Sequence, residues 1–345
     1  KDALVNFDKV PNWKRTSPHN IQRKTWQNAN CNNCHGQREL FLSRDDLLDY
    51  EIEANKKVVV PDDKVPEAHD KTAPFAVDTS SVRSSMVVDA KWLHDNMDKK
   101  GLIIVDARSA GDYDKGHIEG AVSLNPLAGF RTDFDSEDPL TLVDFPKIAE
   151  ILGDSGITTS NHVVVYDKAG PISGFLLWIL EYAGVENVSY LEGGIEGWHD
   201  AGYHTSTESI WPDTVKFDGK ARPKFVVDND YIRQNATRSD VVVLDSRIIT
   251  QAQGLLKHGA AARAGHIPGS VNVPLGALYM DNGELKPPEQ LLWLLKKNGI
   301  TTDKTVVTTC NTGQLAGGAF FILRYLGFED VKVHDQSWIS WCATE

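Results

Sequence analysis

The sequence predicts an α/β fold of two domains, each a parallel sheet flanked by helices, preceded by a mostly irregular segment. Three observations carry this. Ile103-Ile104-Val105, Val163-Val164-Val165-Tyr166, Val241-Val242-Val243-Leu244 and Thr305-Val306-Val307 are short unbroken apolar runs, as expected of parallel strands buried on both faces. They alternate with helical apolar spacing, at Phe175 to Tyr182 and from Leu315 to about Leu326. The pattern of the middle of the chain then returns in its last third.

Four stretches follow from this. Residues 1–84 are polar, poor in periodicity and contain Cys31-Asn32-Asn33-Cys34-His35, with extended chain expected from Val58-Val59-Val60-Pro61 to Pro74. Residues 85–205 form a first strand–helix domain. Residues 206–223, with Pro212, Gly219 and Pro223, read as a linker. Residues 224–345 form a second strand–helix domain. A length of 345 residues suits two domains with an extra segment.

Bulk properties exclude several function classes. Net charge is −12, which argues against nucleic acid and anionic membrane surfaces as partners. No apolar stretch is long enough to span a bilayer. No signal peptide is visible and the chain does not begin with Met, so a leader removed by processing is compatible with it. Four cysteines, Cys31, Cys34, Cys310 and Cys342, make no disulfide framework.

The duplication extends to single residues. Asp106-Ala107-Arg108 recurs as Asp245-Ser246-Arg247, and Gly116-His117-Ile118-Glu119-Gly120-Ala121 as Gly265-His266-Ile267-Pro268-Gly269-Ser270. Gly170, Tyr182, Gly184 and Trp198 return as Gly313, Tyr325, Gly327 and Trp341 at one constant offset of 143, which sets Cys310 opposite Asp167.

Cys310 follows the run Val306-Val307-Thr308-Thr309 and precedes Asn311-Thr312-Gly313-Gln314-Leu315 and a helix. Amides converge between a strand end and a helix start, and the helix dipole favours an anion there. Both effects favour a reactive thiolate, so Cys310 is the expected nucleophile. Cys342, near Trp341, is expected to be buried.

These motifs, in order and twice over, resemble the tandem rhodanese pattern of thiosulfate and mercaptopyruvate sulfurtransferases: Asp-x-Arg, Gly-His-Ile-x-Gly-Ala/Ser, a strand ending in Cys, then Leu191-Glu192-Gly193-Gly194 with Trp198, or Val333 to Trp341 in the second half. The resemblance covers roughly residues 86–345. It implies an inactive first half and an active cysteine in the second, which moves sulfane sulfur as a persulfide. The amides of Cys310 to Leu315 would then hold the terminal sulfur, with Gly313 supplying permissive backbone angles. Asn311, Thr312, Gly313, Gln314, Leu315 and Arg247 are therefore the candidate substrate-binding residues, although Arg108 and Arg247 also suit ion pairs beneath the sheet. His117 and His266 suit structural roles.

The loop departs from the thiosulfate-handling form. Asn311 and Thr312 stand where basic residues follow the cysteine, and Gln251 stands where the family places a substrate-holding Arg. A polysulfide, persulfide or protein-bound donor fits such a loop at least as well as thiosulfate. Arg263 is a candidate replacement cation. Ala316 occupies the position of the phosphate-gripping Arg of the related phosphatase loop, which argues against phosphoryl transfer.

Cys31-x-x-Cys34-His35 has the spacing for covalent c-type haem, with His35 on the iron. No second Cys pair completes a zinc site. The surroundings resemble the end of a multihaem cytochrome c. His19 is the expected sixth ligand, with His69, Met86 and His94 as alternatives. Such haem attachment implies a periplasmic or extracellular location. The expected protein is thus an extracytoplasmic haem-containing sulfurtransferase acting on a sulfur-containing small molecule or persulfide donor, with a partner cytochrome. The alternative is an electron-transfer or assembly subunit that uses the rhodanese pair as a docking scaffold.

Overall fold

Strands and helices alternate through two successive copies of one plan. The computed structural model describes residues 77–344, apart from 134, 135, 137–139, 169 and 281. In the first copy these are β1 Val87–Val88, α1 Ala90–Asn96, β2 Leu102–Asp106, α2 Ala110–Lys115, β3 Val122–Ser123, α3 Phe145–Asp154, β4 His162–Tyr166, α4 Pro171–Ala183, β5 Asn187–Leu191 and α5 Gly194–Asp200. The second has β6 Val226–Val227, α6 Asn229–Asn235, β7 Val241–Asp245, α7 Ile249–Ala252, β8 Val271–Asn272, α8 Pro288–Lys297, β9 Thr305–Thr309, α9 Gln314–Tyr325, β10 Val331–His334 and α10 Ser337–Thr344.

Each copy makes a five-stranded sheet, in the orders β1-β5-β4-β2-β3 and β6-β10-β9-β7-β8. All pairings are parallel, with Ile104 beside Val164 in one sheet and Val243 beside Val307 in the other. Both faces are covered, which explains the unbroken apolar runs. Side chains alternate across a strand, so Val163 and Val165 enter one core while Val164 and Tyr166 enter another. The first core is shared by the two domains: it holds β4, β9, α4 and α9. The outer face of each sheet has its own cluster, around Trp198 in the first domain and Trp338 in the second.

Helix starts follow local chemistry. Asp89 caps α1 by accepting from Trp92 N–H at 2.6 Å, and Asp228 caps α6 by accepting from Tyr231 N–H at 2.9 Å. Residues between Asp200 and Pro223 form no helix or strand beyond one bridge of Ser206 to His117. They are tied down by main-chain bonds from Val215 N–H to Gly153 O (3.0 Å) and Arg222 N–H to Tyr182 O (2.8 Å). The domains meet along α4 and α9. Phe175 to Leu180 of α4 are wholly buried, as are Phe320 and Ile322 of α9.

Candidate active site

Strand β9 delivers Cys310 to the shared core, where it is 1% exposed. The chain must then turn into α9. Gly313 makes that turn with φ +85 and caps the helix, a conformation that costs other residues about 1 kcal/mol or more. Its N–H donates to Cys310 Sγ at 3.1 Å. The helix begins at Gln314, earlier than its apolar spacing indicates, so Leu315 and Ala316 offer first-turn amides with no intrahelical acceptor. Leu315 turns its side chain to the core and offers the loop only its N–H.

The matching loop of the first domain shows what this nest of amides selects. Asp167 takes the cysteine's place, and its carboxylate accepts from the N–H groups of Gly170, Ile172 (2.8 Å) and Ser173 (2.9 Å). Gly170 has φ +97, like its counterpart Gly313. A resident anion fills the first nest. In the second, the counterparts of Ile172 and Ser173 are Leu315 and Ala316, with a sulfur at the centre.

The loop is held from behind by the closing segment. Cys310 N–H donates to Ser337 Oγ (3.3 Å), and Ser337 Oγ donates to His334 O (2.8 Å). Trp338 N–H donates to Cys310 O (2.9 Å) and Ile339 N–H to Asn311 O (3.1 Å). Ser337 is wholly buried at φ +51, where the first domain has Gly194 at φ +56. Its serine identity in a position that favours glycine is a signal the sequence carried but spacing did not expose. His334 bridges Asn229 Oδ1 (2.9 Å) and Thr309 Oγ1 (3.1 Å). Burial depresses its pKa to about 3, so it is neutral.

The other sequence-predicted residues divide. Asn311 is nearly buried, and its Nδ2 donates to Gln251 Oε1 at 3.0 Å, so the two neutral side chains at the loop are paired. Thr312 and Gln314 are half-buried. Arg247, a substrate-binding candidate, is held within its own domain: its Nε and Nη2 grip the Asp245 carboxylate, Nη2 also donates to Gly265 O (2.9 Å), and the side chain is 3% exposed. Arg108 holds Asp106 and Gly116 O in the same way, which explains the paired Asp-x-Arg and Gly-His-Ile motifs. His117 joins Tyr113 O (2.9 Å) to Glu208 O (3.0 Å) and His266 joins Ala252 O (2.7 Å), both as braces. Arg263 is exposed and lies over the Trp338 ring at 5.0 Å. Cys342 is buried, with Sγ donating to Ile339 O.

Arg131 was not foreseen. It comes from the first domain, is 6% exposed, and reaches the Cys310 loop: a Cβ on Gly313 would stand 3.0 Å from its Cζ. Its one sequence signal is isolation, as the only Lys or Arg between Lys115 and Lys147.

Cys31, Cys34, His35, His19 and His69 lie outside the described residues. Of the remaining alternatives for the iron, Met86 is buried in the shared core and His94 stacks on Tyr203 with ring centroids 4.2 Å apart. Among the described residues no group of three or more His, Cys, Asp or Glu could hold a metal, and no helix is long and apolar enough to cross a membrane.

Comparison with known proteins agrees with this geometry. The rhodanese-like domain model matches residues 89–201 and again 228–344. A thiosulfate sulfurtransferase of Corynebacterium glutamicum is 30% identical over 286 residues, covering 78% of this chain and 91% of that protein. A 3-mercaptopyruvate sulfurtransferase of Escherichia coli is 28% identical over 268 residues, covering 74% and 94%. A solved structure of EanB, with ergothioneine covalently linked to a persulfide cysteine, is 25% identical with a TM-score of 0.68, covering 74% of this chain and 67% of that one. With both halves matched and the two sheets repeating one plan, the chain belongs to the rhodanese-like family and is a sulfurtransferase.

Proposed function

We propose that Cys310 carries the transferred sulfur. The thiolate attacks the transferable sulfur of a donor, a Cys310–S–S⁻ persulfide forms, and the rest of the donor leaves with the pair of the broken S–S or C–S bond. A thiolate acceptor then attacks the outer sulfur and the Cys310 thiolate is regenerated. The observation that carries this reading is the Gly313 N–H on Cys310 Sγ at 3.1 Å, in a loop whose twin binds the Asp167 carboxylate. Main-chain donors fixed before reaction stabilise charge without reorganising. The first domain cannot carry sulfur at the matching position, because Asp167 has none to offer.

Thiosulfate, 3-mercaptopyruvate and polysulfide are the donors to compare, the first two because relatives are named for them. The neutral Asn311–Gln251 pair sets no fixed charge at that side of the loop.

The proposal extends to the leading segment. Cys31 and Cys34 would attach haem c, with His35 and His19 on the iron, in a periplasmic or extracellular protein that meets a partner cytochrome. Haem so held supplies one-electron transfer. The motif alone supports this part.

Mass spectrometry of the intact protein after incubation with each donor tests the first part. An adduct of one sulfur atom on Cys310, absent from Cys310→Ser, is the expected result. A wild-type protein that never takes up sulfur, or a serine variant that transfers it unchanged, refutes the carrier role. The low exposure of Cys310 favours a second reading, a docking scaffold, and the first of these outcomes would support it.

A further inference from the structure

The Cys310 loop has no cation in its own sequence from 310 to 315, yet a guanidinium is buried against it. Arg131 follows β3 in the first domain and pairs with Leu142 in an isolated bridge. Its Nη1 donates to Leu140 O at 2.7 Å and to Asp335 Oδ1 of the second domain. Its Cζ lies 4.9 Å from the Phe175 ring centroid and 5.9 Å from that of Trp178. The side chain is therefore held in one place. Among the described residues, its Nε and Nη2 are buried with no hydrogen-bond partner. Leaving such donors unmade is costly. These two nitrogens share one edge of the guanidinium, the edge that grips an oxyanion with two parallel bonds. Nη2 is also the atom that a side chain on Gly313 would strike first.

The duplication supplies a control within the molecule. In the second domain Tyr279 pairs with Leu285 in a matching bridge. It crosses to the silent loop, where a Cβ on Gly170 would stand 2.8 Å from its hydroxyl. Each domain thus covers its neighbour's loop. A neutral phenol covers the nest already filled by Asp167, and an arginine with two free donors covers the nest around Cys310.

We propose that Arg131 is the anion-binding residue of the Cys310 site, lent by the first domain, and that it selects donors whose sulfane sulfur is attached to an oxyanion group. The proposal rests on Cys310 as the sulfur carrier. With thiosulfate, Nε and Nη2 hold two sulfonate oxygens. The Cys310 thiolate attacks the sulfane sulfur, the S–S bond of thiosulfate breaks, and sulfite departs with that electron pair, leaving the Cys310 persulfide. Total charge is unchanged and no oxidant or reductant is needed. As negative charge passes to the sulfite oxygens, the fork's hold on them strengthens. A polysulfide has no oxygens to grip and gains less from the fork.

The test uses the full chain with Arg131→Gln and Arg131→Lys, measuring sulfur loading on Cys310 and steady-state kinetics with thiosulfate and with inorganic polysulfide. Arg131→Gln should raise KM for thiosulfate roughly ten- to hundred-fold and change polysulfide loading only a few-fold. Arg131→Lys should fall between, since an ammonium keeps the charge but loses the fork. If the Gln protein fails to fold, the Lys protein decides alone: its KM should rise for thiosulfate and not for polysulfide. Unchanged thiosulfate kinetics in a folded variant, or equal losses with both donors, overturns the assignment. Cys310→Ser separates the two claims, since loss of all loading there with normal Arg131 variants leaves the carrier reading standing and removes this one.

Discussion

Gly174 in α4 and Gly318 in α9 meet where the domains join, and a Cβ on Gly174 would stand 2.7 Å from Gly318 Cα. One position earlier in α9, a Cβ on Gly317 would stand 3.1 Å from Phe175 Cα. The two helices therefore pack at backbone distance.

Gly174→Ala should lower stability. Alanine improves helix propensity by about 1 kcal/mol, but the added methyl has no space and overpacking costs about 1–3 kcal/mol. Scanning calorimetry should show a lower Tm, and an equal or higher Tm would show that the helices separate freely.

The pH dependence of stability should carry a signature of His334. Its folded pKa is about 3, depressed by burial from 6.5. The unfolded chain thus takes up a proton that the folded one refuses. The contribution is fully present above about pH 6.5 and is lost as pH falls toward about 3, at about 1.4 kcal/mol per pH unit. Urea midpoints for the wild type should fall over that window more steeply than those of His334→Gln. Parallel slopes would count against a neutral buried imidazole. The ring stands behind Ser337 and Cys310, so loss of sulfur loading should accompany the unfolding.

Much of this was legible in the sequence because it is local. Strands buried on both faces leave unbroken apolar runs, and the constant offset of 143 pairs Gly170 with Gly313 and Asp167 with Cys310. Both glycines cap a helix at positive φ. Arg247 was harder: the motif shows that it matters, but only the structure shows that Asp245 and Gly265 O hold it. Arg131 was out of reach because its partner Gly313 lies in the other domain. Contacts across an interface are set by how α4 and α9 cross, and no pattern within residues 124–145 encodes that crossing.

The leading segment can be tested apart from the sulfur chemistry. Replacing both Cys31 and Cys34 with Ser should abolish covalent haem, read as loss of the Soret band and of the haem mass in the intact protein. Sulfur loading on Cys310 should persist in that variant, since the described residues of the site lie between Arg131 and Ile339. A wild-type protein, matured where c-type haem is attached, that shows no Soret band would remove the haem from the account.

The paired glycines give the sharpest separation of structure from chemistry. Gly313→Ala and Gly170→Ala each place a methyl at positive φ, φ +85 and φ +97, at a strain of about 1 kcal/mol or more. Each also strikes a side chain lent by the opposite domain, Arg131 in one case and Tyr279 in the other. Their costs in stability should therefore be similar, on the order of 1–3 kcal/mol. Their effects on sulfur transfer should differ. Gly313→Ala displaces the N–H that reaches Cys310 Sγ and pushes Arg131 from the loop, so loading should fall at least tenfold, as for loss of one preorganised donor. Gly170→Ala disturbs a nest already filled by Asp167, and loading should stay within a few-fold of wild type. Equal losses of activity in the two variants would mean that the glycines act only through the fold.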